Sequence, residues 1–104
     1  MNSAFGEARD LLLARDYESA RREFRWPELD RFNWALDWFD VIAEKNAERE
    51  ALVVLNDGGA REALSFADLR RRSNQAANFL REHGVRRGDR VLVMLPNRVA
   101  LWEA

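Results

Sequence analysis

The sequence contains no cysteine, and that absence removes disulfides, thiolate nucleophiles and cysteine-ligated zinc together. It is compatible with a reducing compartment. Histidine occurs once, as His83, so a Ser-His-acid triad would have to be built around that residue and a histidine metal site has a single ligand to offer. Lysine is scarce as well, Lys45 being the one lysine among 17 basic residues. Those 17 basic and 18 acidic side chains leave a net charge of −1. They are interleaved along the chain, so no broad field is available for nucleic acid or anionic lipid. Long apolar runs are missing too: the longest aliphatic stretches, 52–55 and 91–95, are far too short to cross a bilayer. Residues 1–10 mix Glu7, Arg9 and Asp10 with alanines, without the positive and then apolar regions of a secretory signal. The expectation is a cytoplasmic protein with neither a nucleic-acid nor a membrane partner.

What is present suits a soluble globular chain. Of 104 residues, 47% are hydrophobic and 34% charged, a balance unlike that of disordered segments. The length allows one domain. Its character changes near Asn46, dividing a helical, Trp-rich lead-in (1–46) from a partial α/β region (47–104). In the lead-in, a short helix is expected over 5–14 and another over 17–24, where Tyr17, Ala20 and Phe24 recur at helical spacing behind Asp16 as N-cap. Trp26-Pro27 interrupts the pattern, because the residue before proline is pushed toward extended geometry. Asn33 is placed to cap a helix over 34–45, with Trp34, Trp38, Val41 and Ile42 on one side and Asp37, Asp40 and Glu44 on the other.

Past residue 50 the signals are sharper. An apolar strand over 51–55 meets Asn56-Asp57-Gly58-Gly59, which suits the positive φ angles of a hairpin turn, and a second strand returns over 61–64. Ser65-Phe66-Ala67-Asp68 has capping-box spacing, with Leu64 and Leu69 placed as a hydrophobic staple. The helix behind that cap presents Phe66, Leu69, Ser73, Ala76 and Leu80 on one face, and Gly84 stands where a left-handed C′ residue is needed. Residues 91–95 are apolar at every position, which predicts a strand buried on both faces that completes a right-handed βαβ unit. Pro96-Asn97 opens one more helix, and the chain ends inside it. This predicts a fragment of a larger protein, with apolar surface open to self-association.

A catalytic centre is not legible. His83 falls at a helix C-terminus, where an imidazole favours the helix dipole and has no orienting partner. Carboxylates such as Asp37 and Asp40 lie on a face expected to be solvated. Gly58-Gly59 and Gly84-x-x-x-Gly88 match no phosphate-binding loop. Arg70-Arg71-Arg72 is spread around its helix and forms no stripe. The residues therefore nominate no catalytic, cofactor-binding or metal-ligating side chain. The aromatic stretch Phe24, Trp26, Phe32, Trp34, Trp38 and Phe39 leaves an alternative reading, a stand-alone protein-interaction module using a Trp/Phe-rich helical surface.

Residues Leu64-Ser65-Phe66-Ala67-Asp68-Leu69 resemble the first core motif of the AMP-forming adenylating enzymes. Asn74, Ala77, Leu80, Gly84-Val85, Gly88-Asp89-Arg90-Val91 and Leu95-Pro96-Asn97 follow that family's pattern in order. Upstream, Tyr17-Glu18-Ser19-Ala20-Arg21, Phe24-Arg25-Trp26-Pro27 and Arg31-Phe32-Asn33-Trp34 are similar to the lead-in of short- and medium-chain acyl-CoA synthetases. The resemblance covers nearly all of the chain past residue 15. It implies an α/β fold in which N-terminal helices, a β-hairpin and a βαβ unit form part of a larger N-terminal domain. It also implies a parent ligase of fatty acid metabolism that uses ATP, magnesium and coenzyme A to make an acyl-adenylate and then an acyl-CoA. In the family, the phosphate-gripping loop, the acyl pocket and the catalytic lysine lie downstream of the matched motifs, and the matched motif is regarded as structural. The remainder of the parent enzyme is the implied partner, and this stretch alone is expected to be inactive.

Overall fold

The computed structural model describes residues 3–14 and 16–104, Ser3 through its backbone only. They form two compact units, 1–41 and 42–104. In the first, helix α1 (Ser3–Leu13) packs with helix α2 (Tyr17–Glu23). The α2 N-cap forms as expected: the Asp16 carboxylate accepts from the Ser19 amide at 3.2 Å and from its hydroxyl at 2.6 Å. Trp38 is the buried aromatic of this unit, 8% exposed. The Phe5 ring meets it edge-on at 4.6 Å, the Arg9 guanidinium lies 5.5 Å from its centroid, and Phe32 stacks on Phe5 at 5.0 Å. Such pairs add to plain area burial through the ring quadrupole.

The helix expected over 34–45 is two pieces. Asn33 caps it, accepting from the Leu36 amide at 3.2 Å, but Trp34–Phe39 is π-helical and only Asp40–Lys45 is the α-helix α3. The Asp40 amide bonds back to the Ala35 carbonyl, five residues earlier. One extra residue per ring turns the pattern out of α register. As a result Trp34, expected on the apolar face beside Trp38, is 54% exposed and stacks instead on Phe39, five residues on, at 5.5 Å.

The second unit holds strands β1 (Glu50–Leu55) and β2 (Arg61–Ser65), helix α4 (Phe66–Glu82) and the short helix α5 (Val99–Glu103). The strands pair antiparallel, Leu52 opposite Leu64 and Val54 opposite Glu62, with an irregularity between Glu50 and Leu52. The turn is as expected: Asn56 donates its amide to the Ala60 carbonyl at 3.1 Å, its side chain accepts from the Ala60 amide, and Gly59 takes a φ of 78°. Helix α4 packs on both strands and on α5. Its predicted apolar face, Phe66, Leu69, Ser73, Ala76 and Leu80, is the half-buried one, and Leu64, Ala43 and Val99 are buried around it.

The chain is thus a mixed helix-and-strand α/β fragment, with a second correction. Residues 91–95 do not form the second strand of a βαβ unit; the sheet of the described residues has two strands, β1 and β2. Nor is the run buried on both faces: Val91, Leu92, Val93, Met94 and Leu95 are between 44% and 84% exposed. A strand is stabilised by the ladder of its neighbour, and among the described residues no neighbour presents one.

Candidate functional site

The most tightly specified place in the second unit is the junction of β2 and α4. Ser65 ends the strand and caps the helix, its Oγ accepting from the Asp68 amide at 3.1 Å and donating to the Asp68 carboxylate at 2.9 Å. Arg71, one turn on, donates to the same carboxylate at 2.9 Å. These contacts, Arg71 foremost and then the Ser65 hydroxyl, hold the Asp68 carboxyl below its ordinary range. The incoming chain is fastened to the same point, since the Phe66 amide donates to the Arg49 carbonyl at 2.9 Å and the Ala67 amide to the Ala47 carbonyl at 3.0 Å. Three of the four amides that a helix start leaves unpaired are therefore used. At the far end, the Val85 amide reaches the Leu80 carbonyl at 3.0 Å and the Gly84 amide the Arg81 carbonyl at 3.1 Å, with Gly84 at φ 87°. Both ends of α4 are closed by local bonds.

An open cleft of about 840 Å³ lies between the hairpin turn and α5. Two of its cations are already matched: Arg72 donates to Glu103 at 2.8 Å, and Arg61 to Glu50 at 2.6 Å. The Arg61 hydrogen bond and charge lower the Glu50 carboxyl, and each arginine is raised by its carboxylate partner. What the arrangement does chemically is tie elements together. Arg72 and Glu103 are 31 residues apart, so no periodicity could have announced that pair.

The residues weighed from sequence fall as follows. His83 is exposed at the end of α4, its Nδ1 2.8 Å from the Phe79 carbonyl oxygen and its ring 4.1 Å from the Phe79 ring. Neither a hydroxyl nor a carboxylate orients it among the described residues. Asp37 accepts from the Asn33 amide at 2.7 Å and so belongs to a helix cap. Arg70, Arg71 and Arg72 go to three different carboxylates, Glu44 at 3.2 Å, Asp68 at 2.9 Å and Glu103 at 2.8 Å, as expected for residues spread around a helix. Of the tryptophans, Trp38 is core, whereas Trp26 is 84% exposed beside Phe24.

The glycines do not fit a phosphate. The Gly59 amide is used by the Asn56 carbonyl at 2.9 Å and the Gly84 amide by the Arg81 carbonyl. The Asp89 carboxylate occupies the Arg86 amide at 2.7 Å in the turn that contains Gly88. No group of three or more His, Asp or Glu side chains able to hold a metal occurs among the described residues.

Residues 39–104, which include this junction, match the family described as AMP-binding enzyme. Over 98 residues the chain is 31% identical to the acetyl-coenzyme A synthetase of Bacillus subtilis, covering 85% of this chain and 17% of that protein. It is 32% identical over 80 residues to the acetyl-coenzyme A synthetase of Burkholderia lata (76% and 12%). It is 36% identical over 77 residues to the 4-hydroxybutyrate–CoA ligase 1 of Metallosphaera sedula (72% and 14%). The chain therefore spans less than a fifth of the length of these relatives. No solved structure matches it. On the match over 39–104, this chain belongs to the AMP-binding enzyme family.

Proposed function

We propose that this chain is the structural N-terminal portion of an ATP-dependent, AMP-forming acid–CoA ligase and is not catalytically competent alone. The observation that carries this reading is the β2–α4 junction, where a densely hydrogen-bonded strand-to-helix corner coincides with the family match. Its side chains are spent on each other, which suits a scaffold and not a reaction centre. The relatives' names point to short carboxylic acids as the class activated by the whole enzyme, with ATP, magnesium and coenzyme A bound by parts of the family sequence outside this stretch. The residues up to about 46 serve as a lead-in and the rest as a partial α/β subdomain. The remainder of the ligase is the partner, in the cytoplasm and in fatty acid metabolism. No helix of the described residues is long and apolar enough to cross a membrane. In the first unit a small apolar groove of about 290 Å³ beside Leu12, Leu13 and Trp26 gives a surface for self-association.

The test is acid-dependent ATP–pyrophosphate exchange with acetate and 4-hydroxybutyrate. The 104 residues alone should give none. A polypeptide in which they precede the family's nucleotide-binding segments should exchange. Exchange by the short chain would overturn the scaffold reading, and silence from the longer one across a panel of carboxylic acids would overturn the ligase reading.

A further inference from the structure

We propose that Asp57, in the turn between β1 and β2, is a self-modification site at which the main chain rearranges from aspartyl to isoaspartyl through a cyclic imide. Asp57-Gly58 is the one Asp-Gly pair in the sequence, and Asn-Gly does not occur. Both residues are exposed. The peptide unit that joins them is unanchored. Neither the Asp57 carbonyl nor the Gly58 amide has a hydrogen bond among the described residues, although Asn56 holds the turn around them through Gly59 and Ala60. The Asp57 carboxylate is unengaged among the described residues as well. By contrast, the carboxylates of Asp16, Asp37, Asp68 and Asp89 each accept a hydrogen bond.

The chemistry needs nothing beyond these two residues and water. The Gly58 nitrogen attacks Cγ of Asp57. An N–Cγ bond forms, a Cγ–O bond breaks, and the amide proton leaves with the hydroxyl as water. The five-membered imide then takes water back at one of its two carbonyls. Addition at Cγ restores aspartate. Addition at the main-chain carbonyl breaks its bond to the Gly58 nitrogen, and the chain then runs through the side-chain carbon as isoaspartate. The water lost in the first step is regained in the second, so no oxidant, cofactor or co-reactant enters. Glycine matters twice here: with no Cβ it leaves the nitrogen unshielded, and it lets the peptide unit rotate toward the carboxyl. Isoaspartate adds one carbon to the main chain of a turn whose length sets strand register, so the bond from the Gly59 amide to the Asn56 carbonyl, 2.9 Å long, is loosened. The inference concerns this turn alone and does not rest on the ligase reading.

The test ages the 104-residue chain at neutral pH, cuts it after arginine and separates the forms of the peptide 50–61. A product of unchanged mass and altered retention should appear, with a smaller amount of imide lighter by one water, both located at Asp57. Isoaspartate there should accumulate at least about tenfold faster than at any other aspartate. Gly58→Ala, whose added Cβ would sit 3.4 Å from the Asn56 Oδ1, should slow the reaction at least about tenfold. Asp57→Glu keeps the charge but would need a six-membered ring, and it should abolish both products. Absence of isoaspartate at Asp57, equal accumulation at other aspartates, or an unchanged rate in Gly58→Ala would each overturn the proposal. So would a folded chain that reacts more than about tenfold slower than a free synthetic peptide of residues 50–61, since the fold would then be shielding the site. None of these readouts involves adenylation, so a failure here is separate from a failure of the ligase reading.

Discussion

Gly84 offers a clean measure of how firmly α4 is closed. Its φ is 87°, and a Cβ built on it would meet nothing within 4 Å. Replacing it with alanine therefore introduces no clash, and only backbone strain is at issue. Holding a non-glycine residue in the left-handed region costs about 1–2 kcal/mol. Against this, alanine restricts the unfolded chain and returns about 0.4–1 kcal/mol. The net expectation for Gly84→Ala is a loss of about 1 kcal/mol, or a fall in Tm of about 4–8 °C for a unit of this size. Gly58→Ala is the control, because Gly58 is outside the left-handed region and its added Cβ would sit 3.4 Å from the Asn56 Oδ1, an ordinary contact. That variant should be neutral or stabilised by up to about 1 kcal/mol. Urea unfolding followed by far-UV circular dichroism reads both. If Gly84→Ala is as stable as the parent, or if the two variants fall equally, the left-handed helix end is not what closes α4.

At the other end of the helix, Ser65→Ala removes the acceptor of the Asp68 amide and should cost about 1 kcal/mol in the same urea titration. A loss within error of zero would mean that water replaces the cap without penalty. The carboxyls of Asp16, Glu50 and Asp68 are all lowered in the fold, by the Ser19 side chain, Arg61 and Arg71 respectively. A lowered folded pKa means that the unfolded chain binds the proton first. The stability these groups contribute is therefore present above their ordinary values of 3.8 and 4.5, and it is lost as pH falls through the folded values. The urea midpoint should fall below a pH of about 4 and fall less steeply in 1 M salt, because Asp16 and Glu50 are exposed and Asp68 half-buried, so salt reaches all three. The variant Asp68→Asn should remove part of the acid slope, and an unchanged slope would count against the assignment.

The features legible in the sequence are those decided within a few residues. Asp16, Asn33 and Ser65 cap helices because a short oxygen side chain in front of a helix meets its free amides whatever the rest of the molecule does. Gly59 and Gly84 adopt positive φ because each closes a local turn that a Cβ would strain. The apolar face of α4 was visible because its period is set by the helix itself. Family membership was legible for the same reason, since its first motif is one of these local corners. The site could be read only as an absence of candidates, and the ties that the structure adds, such as Arg72 to Glu103, depend on distant segments meeting.

Two expectations failed where local pattern competes with surroundings. The apolar spacing of 34–45 fits an unbroken α-helix, whereas the π turn over Trp34–Phe39 carries Trp34 off the face that holds Trp38. In the structure Trp38 is packed by Phe5 and Arg9, while Trp34 stands exposed against Phe39. Likewise the run 91–95 has the composition of a buried strand, but composition supplies no partner. Whether such a run becomes a strand is decided by which backbone lies beside it, and in this structure its amides and carbonyls face no ladder. Short-range hydrogen bonds are written into neighbouring residues, whereas sheet pairing is a property of the assembled fold.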